Sequence, residues 1–115
     1  MKKLTLAGLF LILGTFALYA QNLPSIRIVN NTGYDVYYLY ISPSDSDDWG
    51  GDILGEEILE NGKTFTFELP YPLSSYDEYD IGMEDEDGDT YIKWEVTVTN
   101  NARIVFTVDD MEDDG

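Results

Sequence analysis

The stretch with the clearest chemical capacity is a run of five carboxylates within residues 84–89. Three of them, Asp85, Asp87 and Asp89, stand at every second position around Gly88. Calcium takes six to eight oxygen ligands and tolerates irregular geometry. Each close pair of carboxylates repels by up to about 1 kcal/mol even in water, and a divalent cation would relieve that repulsion. The spacing therefore predicts a calcium site at these three aspartates.

The spacing differs from that of the EF-hand loop. With Gly88 at the sixth position of that motif, Met83 takes the first ligand position and Trp94 takes the twelfth. The motif needs a carboxylate at both of those positions. We therefore interpret the run as an aspartate-rich β-turn. The alternative is a solvated hairpin tip whose aspartates favour the turn without any metal.

A second acidic loop lies within residues 45–52, where Asp47, Asp48 and Asp52 are weaker candidates for metal ligands. The two acidic regions can share a metal only if they lie at the same end of the fold. Residues 57–59 decide between the two arrangements. If they form a strand and each strand reverses the chain, the regions lie at opposite ends, and this is the arrangement that we expect.

Trp49 is the one large aromatic residue in the second acidic loop. It can serve as a platform for stacking a sugar or docking a partner. The interpretation favoured by the sequence is that Trp49 folds back to cap the core. Trp94 is in register with apolar neighbours and is predicted to lie in the core. The tyrosines predicted to be exposed, where they would line a binding face, are Tyr37, Tyr71, Tyr76 and Tyr91.

The residue types that the chain lacks restrict its chemistry. It has no histidine and no cysteine, which excludes a Ser-His-Asp triad, a cysteine nucleophile and an imidazole or thiolate zinc site. Two carboxylates can act as acid and base on a sugar. With 23 acidic residues in 115, some close pair is inevitable and marks no site. We expect a protein that is not an enzyme.

The N-terminus has the pattern of a secretory signal peptide. Two lysines precede an apolar run that ends in small residues, so we assign residues 1–20 to the leader, with cleavage between Ala17 and Ala20. The alternative is a retained transmembrane anchor. A lipid anchor is excluded because it needs a cysteine. We expect an exported protein, periplasmic or secreted, with no stable membrane span after processing.

The net charge indicates which partners the protein attracts. It is −17 for the whole chain, and without residues 1–20, whose only charged residues are Lys2 and Lys3, 4 basic residues face 23 acidic ones, a net −19. Such a chain repels nucleic acid and anionic lipid. It attracts divalent cations and basic protein partners. The alternative is that the acidity serves solubility or a salty setting.

Alternating apolar residues predict strands at residues 25–30, 34–42, 64–69 and 102–108, and a hairpin within 76–98. In the hairpin, Ile92, Trp94 and Val96 are predicted to face the core, with Tyr91 on the other face. Residues 57–59 would add a short seventh strand. The pattern predicts an all-β fold, a single antiparallel β-sandwich (Ig-like or C2-like) over 25–108. Residues 109–115 form an acidic tail that we expect to be disordered.

The second predicted strand leaves one question open. Both of its faces are apolar, with Tyr38 and Tyr40 on one face and Leu39 and Ile41 on the other. Such a strand either lies in the centre of a sheet, covered on both sides, or has an aromatic outer face.

Five motifs follow one another along the chain: Asn30-Asn31-Thr32-Gly33, Tyr37-Tyr38-Leu39-Tyr40-Ile41-Ser42-Pro43, Asp48-Trp49-Gly50-Gly51-Asp52-Ile53-Leu54-Gly55, Tyr79-Asp80-Ile81 and Asp85-Glu86-Asp87-Gly88-Asp89-Thr90-Tyr91. Their order resembles a family of small exported bacterial domains, found singly or in tandem and including spirochaete members, some of which carry an automatic argininosuccinate lyase label. The resemblance implies a single exported β-sandwich domain and no particular substrate. Argininosuccinate lyase is a long helical enzyme, and a short β-rich chain does not support that activity.

Overall fold

The computed structural model describes residues 23–112, and six strands follow one another within them. The predicted signal peptide and residues 113–115 lie outside the described part. The predicted strands are confirmed. They are β1 (Ser25–Asn31), β2 (Val36–Pro43), β3 (Thr64–Glu68), β4 (Glu78–Asp85), β5 (Thr90–Thr97) and β6 (Ala102–Thr107).

These six strands form two three-stranded sheets, in the orders β3-β1-β6 and β2-β4-β5. Side chains from both sheets meet in one core, so the predicted β-sandwich is confirmed. One pairing departs from the expected antiparallel arrangement, because β1 and β6 run parallel, with Ile28 opposite Ile104. No hairpin joins these two strands, which are far apart in the sequence, so no turn dictates their relative direction.

The core takes alternate residues of the strands. Ile26, Ile28 and Phe106 are fully buried in the first sheet, as are Leu39 and Ile81 in the second. Removing each such side chain from water stabilises the fold by about 1.5–3 kcal/mol. Because the chain has no cysteine, no disulfide adds to this stabilisation, and the fold depends on packing and hydrogen bonds.

The turn after β1 is built on a buried asparagine. The amide of Asn30 is fully buried, and its Nδ2 donates to the carbonyl oxygens of Tyr34 (2.7 Å) and Leu59 (2.9 Å). Its Oδ1 accepts from the backbone N–H (3.1 Å) and the hydroxyl (2.7 Å) of Thr32. Asn30 therefore fixes the predicted turn and ties it to the segment that ends at Leu59.

The predicted hairpin is present as β4 and β5, but a β-bulge divides its second strand. Ile81 pairs with Lys93, and Tyr79 pairs with Val96, so Trp94 and Glu95 together oppose a single residue of β4. Glu95 takes a left-handed conformation with φ 51°. The extra residue reverses the phase of the alternation along β5.

This reversal overturns three predictions. Ile92 was expected in the core, yet it lies outside the core cluster, on the outer face of the sheet. Trp94 was expected in the core, yet it lies on the outer face of the sheet and is 56% exposed. Tyr91 was expected on the exposed face, yet it is fully buried. Beyond the bulge the phase agrees with the prediction, since Val96 packs against the core and Val98 is buried within it.

The carboxylate of Asp80 stabilises the bulge. Its Oδ1 accepts a hydrogen bond from the backbone N–H of Glu95 at 2.8 Å and another from the hydroxyl of Ser44 at 2.9 Å. Ser44 begins the long loop that carries Trp49. One carboxylate oxygen therefore connects the bulge in β5 to the start of that loop.

Strand β2 lies at an edge of its sheet and has an aromatic outer face, so the second of the two open alternatives is correct. Leu39 faces the core, whereas Tyr38 is 42% exposed on the other side. The loop after β2 returns along this edge: Leu59 and Val36 exchange backbone hydrogen bonds, and the N–H of Ile53 donates to the carbonyl of Leu39 at 2.8 Å. The edge is therefore shielded from strand addition.

Residues 57–59 contribute one antiparallel bridge, Val36 with Leu59, instead of a seventh strand. The segment nevertheless reverses the chain, as a strand would. The backbone N–H of Ser44, at the start of the loop after β2, donates to the carbonyl of Glu78, the first residue of β4. Val36, the first residue of β2, pairs with Asp85, the last residue of β4. The loop after β2 therefore begins at the opposite end of the sheet from the β4–β5 turn. The expected separation of the two acidic regions is confirmed.

The tail is more ordered than expected as far as residue 112. A short 3-10 helix, Val108–Asp110, follows β6, and Val108, predicted to be the last residue of that strand, is 52% exposed. Met111 then bridges to Tyr91, and the N–H of Glu112 donates to the carbonyl of Thr90 at 2.7 Å. Within residues 23–112, no helix combines the length and apolar character that a membrane crossing requires.

Candidate functional site

The acidic turn between β4 and β5 is organised by its first aspartate. Asp85 is only 2% exposed, and its Oδ1 accepts the backbone N–H groups of Asp87 (2.9 Å) and Asp89 (3.0 Å). The N–H of Gly88 donates to the carbonyl of Asp85 at 3.0 Å, and Gly88 has φ 86°, a conformation that favours glycine. Asp85 therefore stabilises the turn by accepting backbone hydrogen bonds.

The other oxygen of the same carboxylate accepts a buried hydrogen bond. The hydroxyl of Tyr91, fully buried because of the bulge, donates to Oδ2 of Asp85 at 2.7 Å. Burial raises the pKa of the Tyr91 hydroxyl above its ordinary value, and the hydrogen bond to Asp85 and the charge of that carboxylate raise it further. Tyr91 therefore keeps its proton, and the buried carboxylate has a donor.

The predicted cluster of carboxylates is assembled. Asp85, Asp87 and Asp89 each place a carboxylate oxygen within 4.8 Å of the others, with Asp87 and Asp89 exposed. The group can hold a metal ion. Both oxygens of Asp85 already accept hydrogen bonds, so Asp87 and Asp89 are the side chains that remain free to turn toward a cation.

The second set of predicted ligands is not brought together in this way. Within the described residues, no such cluster contains Asp47, Asp48 or Asp52. The carboxylate of Asp52 instead accepts backbone N–H groups from Leu39 (2.9 Å), Leu54 (3.0 Å) and Gly55 (3.1 Å). Its role is to fasten the loop to the edge of β2.

Trp49 does not cap the core, contrary to the favoured prediction. It lies on the outer face of the β2-β4-β5 sheet, above Gly82, where a Cβ atom would come within 3.4 Å of Cη2 of the indole. Its ring centroid is 5.7 Å from that of Trp94, at an interplanar angle of 44°. Such tilted aromatic pairs are favourable. Both tryptophans of the chain therefore lie together on one face.

Two cavities have Trp49 in their lining. The first, called here the aromatic groove, has a volume of about 220 Å³. The second, called the acidic cavity, has a volume of about 200 Å³ and three carboxylates in its lining. The groove is lined by Tyr40, Trp49, Gly82, Met83, Glu84, Thr90 and Ile92, and the cavity by Ser42, Ser46, Asp47, Asp48, Trp49, Asp80 and Trp94.

The potential at this face is negative. Burial raises the pKa of the Tyr40 hydroxyl above its ordinary value, and the charges of Asp52 and Glu84 raise it further. No lysine or arginine of the described residues lines either cavity. The ion pair formed within residues 23–112 joins Lys93 to Asp110, at 3.1 Å, and involves neither cavity.

The tyrosines predicted to form the binding face are placed differently. Tyr37 and Tyr71 are exposed as predicted, Tyr76 is partly buried and pairs with Tyr71 at 4.9 Å, and Tyr91 is buried. Tyr40, which the sequence did not single out, lines the groove instead. One signal for the groove was present: a glycine inside a strand, here Gly82, indicates the close approach of another group.

Comparison of the chain with models of known protein families, with curated proteins and with solved structures finds no match. The family resemblance drawn from the sequence therefore stays a prediction. The class of protein that the geometry defines is a β-sandwich with an aromatic, acidic outer face and an aspartate-rich turn.

Two buried tyrosines should respond oppositely to the same substitution. Tyr91→Phe leaves Oδ2 of the buried Asp85 carboxylate without its donor, which should lower the free energy of unfolding by about 1.5–3 kcal/mol. Tyr79 is equally buried, but its hydroxyl has no hydrogen-bond partner among the described residues, so Tyr79→Phe should be neutral or stabilising. Urea unfolding at neutral pH measures both, and equal losses would contradict the assigned hydrogen bond.

The stability of Tyr91→Phe should also depend on alkaline pH differently from that of wild type. Because the pKa of folded Tyr91 lies above the ordinary 10.0, its contribution to stability is complete below pH 10 and is lost as the pH rises toward the folded value. Tyr91→Phe lacks this group and should lose less stability than wild type above pH 10.

Proposed function

We propose that the protein is an exported, non-catalytic binding module that recognises a ligand of the cell envelope, a carbohydrate or a protein, through the outer face of its β2-β4-β5 sheet. The observation that supports this is the position of Trp49. A loop places its indole on the sheet surface, beside Trp94 and over Gly82, instead of in the core. Exposed aromatic residues beside a concave surface are typical of ligand-binding sites.

The outer face leaves aromatic side chains exposed to water, which costs free energy, and a purely structural role does not require this exposure. Trp94 is 56% exposed and Tyr38 is 42% exposed on the same sheet surface. Exposed apolar patches of this kind mark interaction sites on soluble proteins. Export would follow from the signal peptide predicted at residues 1–20.

Substitution of Trp49 tests this function. Wild type and Trp49→Ala are passed over an immobilised panel of neutral glycans, acidic glycans and basic and acidic peptides. Wild type should bind one class, and Trp49→Ala should bind that class at least about tenfold more weakly, equivalent to about 1.4 kcal/mol. The thermal melting midpoint should change little, since Trp49 lies outside the core cluster.

The matched control for this test is Tyr71→Ala, which removes an exposed aromatic residue (43%) that pairs with Tyr76 and lines neither cavity. It should bind as wild type does. Binding that survives Trp49→Ala, or no binding to any member of the panel, would contradict the proposal.

A second candidate function is calcium binding at the turn, favoured by the three carboxylates within 4.8 Å of one another. Asp87 and Asp89 would turn toward the cation while Asp85 holds the loop. The site would then stabilise the hairpin that carries the outer face.

Thermal melting during a calcium titration tests this candidate. Calcium at one hundred times its Kd should stabilise wild type by about 2.7 kcal/mol. Asp87→Ala should abolish the shift, because it removes an exposed ligand and leaves the backbone hydrogen bonds of Asp85 in place. Asp48→Ala, an exposed aspartate in the other loop, should keep it. A wild-type midpoint that does not move at millimolar calcium would rule out the site.

A further inference from the structure

The size of the aromatic groove restricts what it can hold. Its volume is about 220 Å³, whereas pockets for drug-sized ligands have about 300–1,000 Å³. A single side chain or a single sugar ring is therefore the scale of group that fits. A longer ligand must extend beyond the groove, and the acidic cavity on the other side of Trp49 provides an adjoining space.

The walls of the groove attract cations. Trp49 and Tyr40 present aromatic rings, and the face of an aromatic ring attracts a positive charge, with tryptophan the strongest. Glu84 adds a carboxylate to the same lining. A planar cation in the groove would therefore meet an aromatic surface and a carboxylate in one lining. This combination favours the guanidinium of arginine over the more strongly hydrated ammonium of lysine.

The charge around the groove is not neutralised within the described residues. The acidic cavity contributes Asp47, Asp48 and Asp80, and no basic residue of the described part lines either space. The four basic residues of the described part line neither space: Arg27 and Arg103 are paired neighbours on β1 and β6, in the other sheet, Lys63 directly precedes β3, and Lys93 is bound to Asp110. A ligand with several positive charges complements this face, and an acidic ligand is repelled by it.

We propose that the aromatic groove binds an arginine side chain of a basic protein segment, with Trp49 and Tyr40 as stacking surfaces and Glu84 as the charge partner. This inference rests on the proposed function and specifies its ligand. Neighbouring cations of the same segment lie along the acidic cavity. The outer sheet face thus recognises a segment of basic protein through one arginine side chain.

The experiment uses a fluorescein-labelled peptide that alternates arginine with serine and glycine, together with matched peptides in which lysine or glutamate replaces arginine. Fluorescence anisotropy measures the affinity of the protein without residues 1–20 for each peptide. The arginine peptide should bind several-fold more tightly than the lysine peptide, and the glutamate peptide should not bind. Higher salt should weaken the binding, because exposed charges are screened.

Two variants and a control locate the interaction. Glu84→Gln and Trp49→Ala should each weaken binding of the arginine peptide by about tenfold or more. Glu68→Gln removes the same charge from an exposed position on β3, in the other sheet, and should retain wild-type affinity. Thermal melting confirms that all three variants are folded.

The outcomes separate this inference from the function on which it rests. If a neutral glycan binds in a Trp49-dependent manner and the arginine peptide does not, the binding face stands and its assigned ligand is wrong. If Glu68→Gln weakens binding as much as Glu84→Gln, the attraction is only long-range and the groove is not the site. If the protein alone dimerises and Trp49→Ala prevents it, the occupant is a second copy. If neither glycans nor peptides bind, both proposals fail.

Discussion

The outer face of the second sheet depends on the carboxylate of Asp80. One of its oxygens accepts the N–H of Glu95, in the bulge of β5, and the hydroxyl of Ser44, at the start of the loop that carries Trp49. The bulge turns Trp94 outward, and the loop brings Trp49 to within 5.7 Å of it. Because the two tryptophans come from separate segments, one carboxylate oxygen that accepts both hydrogen bonds couples the positions of both.

The same principle explains the role of two other aspartates. Asp85 accepts the N–H groups of two turn residues, and Asp52 accepts three N–H groups that fasten a loop to the edge of β2. These two aspartates, which look like metal ligands in the sequence, therefore act as acceptors for backbone groups that the sheets leave unpaired. The carboxylates that do not have this role, such as Glu84 and Asp87, are the ones available to a ligand.

The sequence predicted the strands well because buried and exposed residues alternate with period two, and the Asp-Gly pair marked the hairpin turn. It did not predict the bulge. Glu95 adopts a left-handed φ of 51°, which glutamate rarely does, so no residue type indicated the change of phase. Trp94 and Tyr91 were consequently assigned to the wrong faces. The position of Trp49 was equally hidden, because its contacts depend on how a long loop returns across the sheet.

The candidate site was predictable in part. Alternate aspartates around a glycine predicted the cluster at the turn, and the structure assembles it. The aromatic groove was not predicted as a unit, since Tyr40, Trp49, Gly82 and Glu84 become neighbours only through strand pairing and the returning loop. The charge surplus predicts a basic partner, which stays a prediction, and the groove is the surface proposed for it.

The most direct measurement is a titration of the isotope-labelled mature protein with the arginine peptide, observed through the indole N–H resonances. The chain has two tryptophans, and both lie at the outer face, so these signals report on that face alone. The account predicts saturable shifts of both indole signals, with the backbone signals of Arg27 and Glu68 on the other sheet unchanged. Indole signals that stay fixed while the turn at residues 85–89 or the other sheet responds would contradict it.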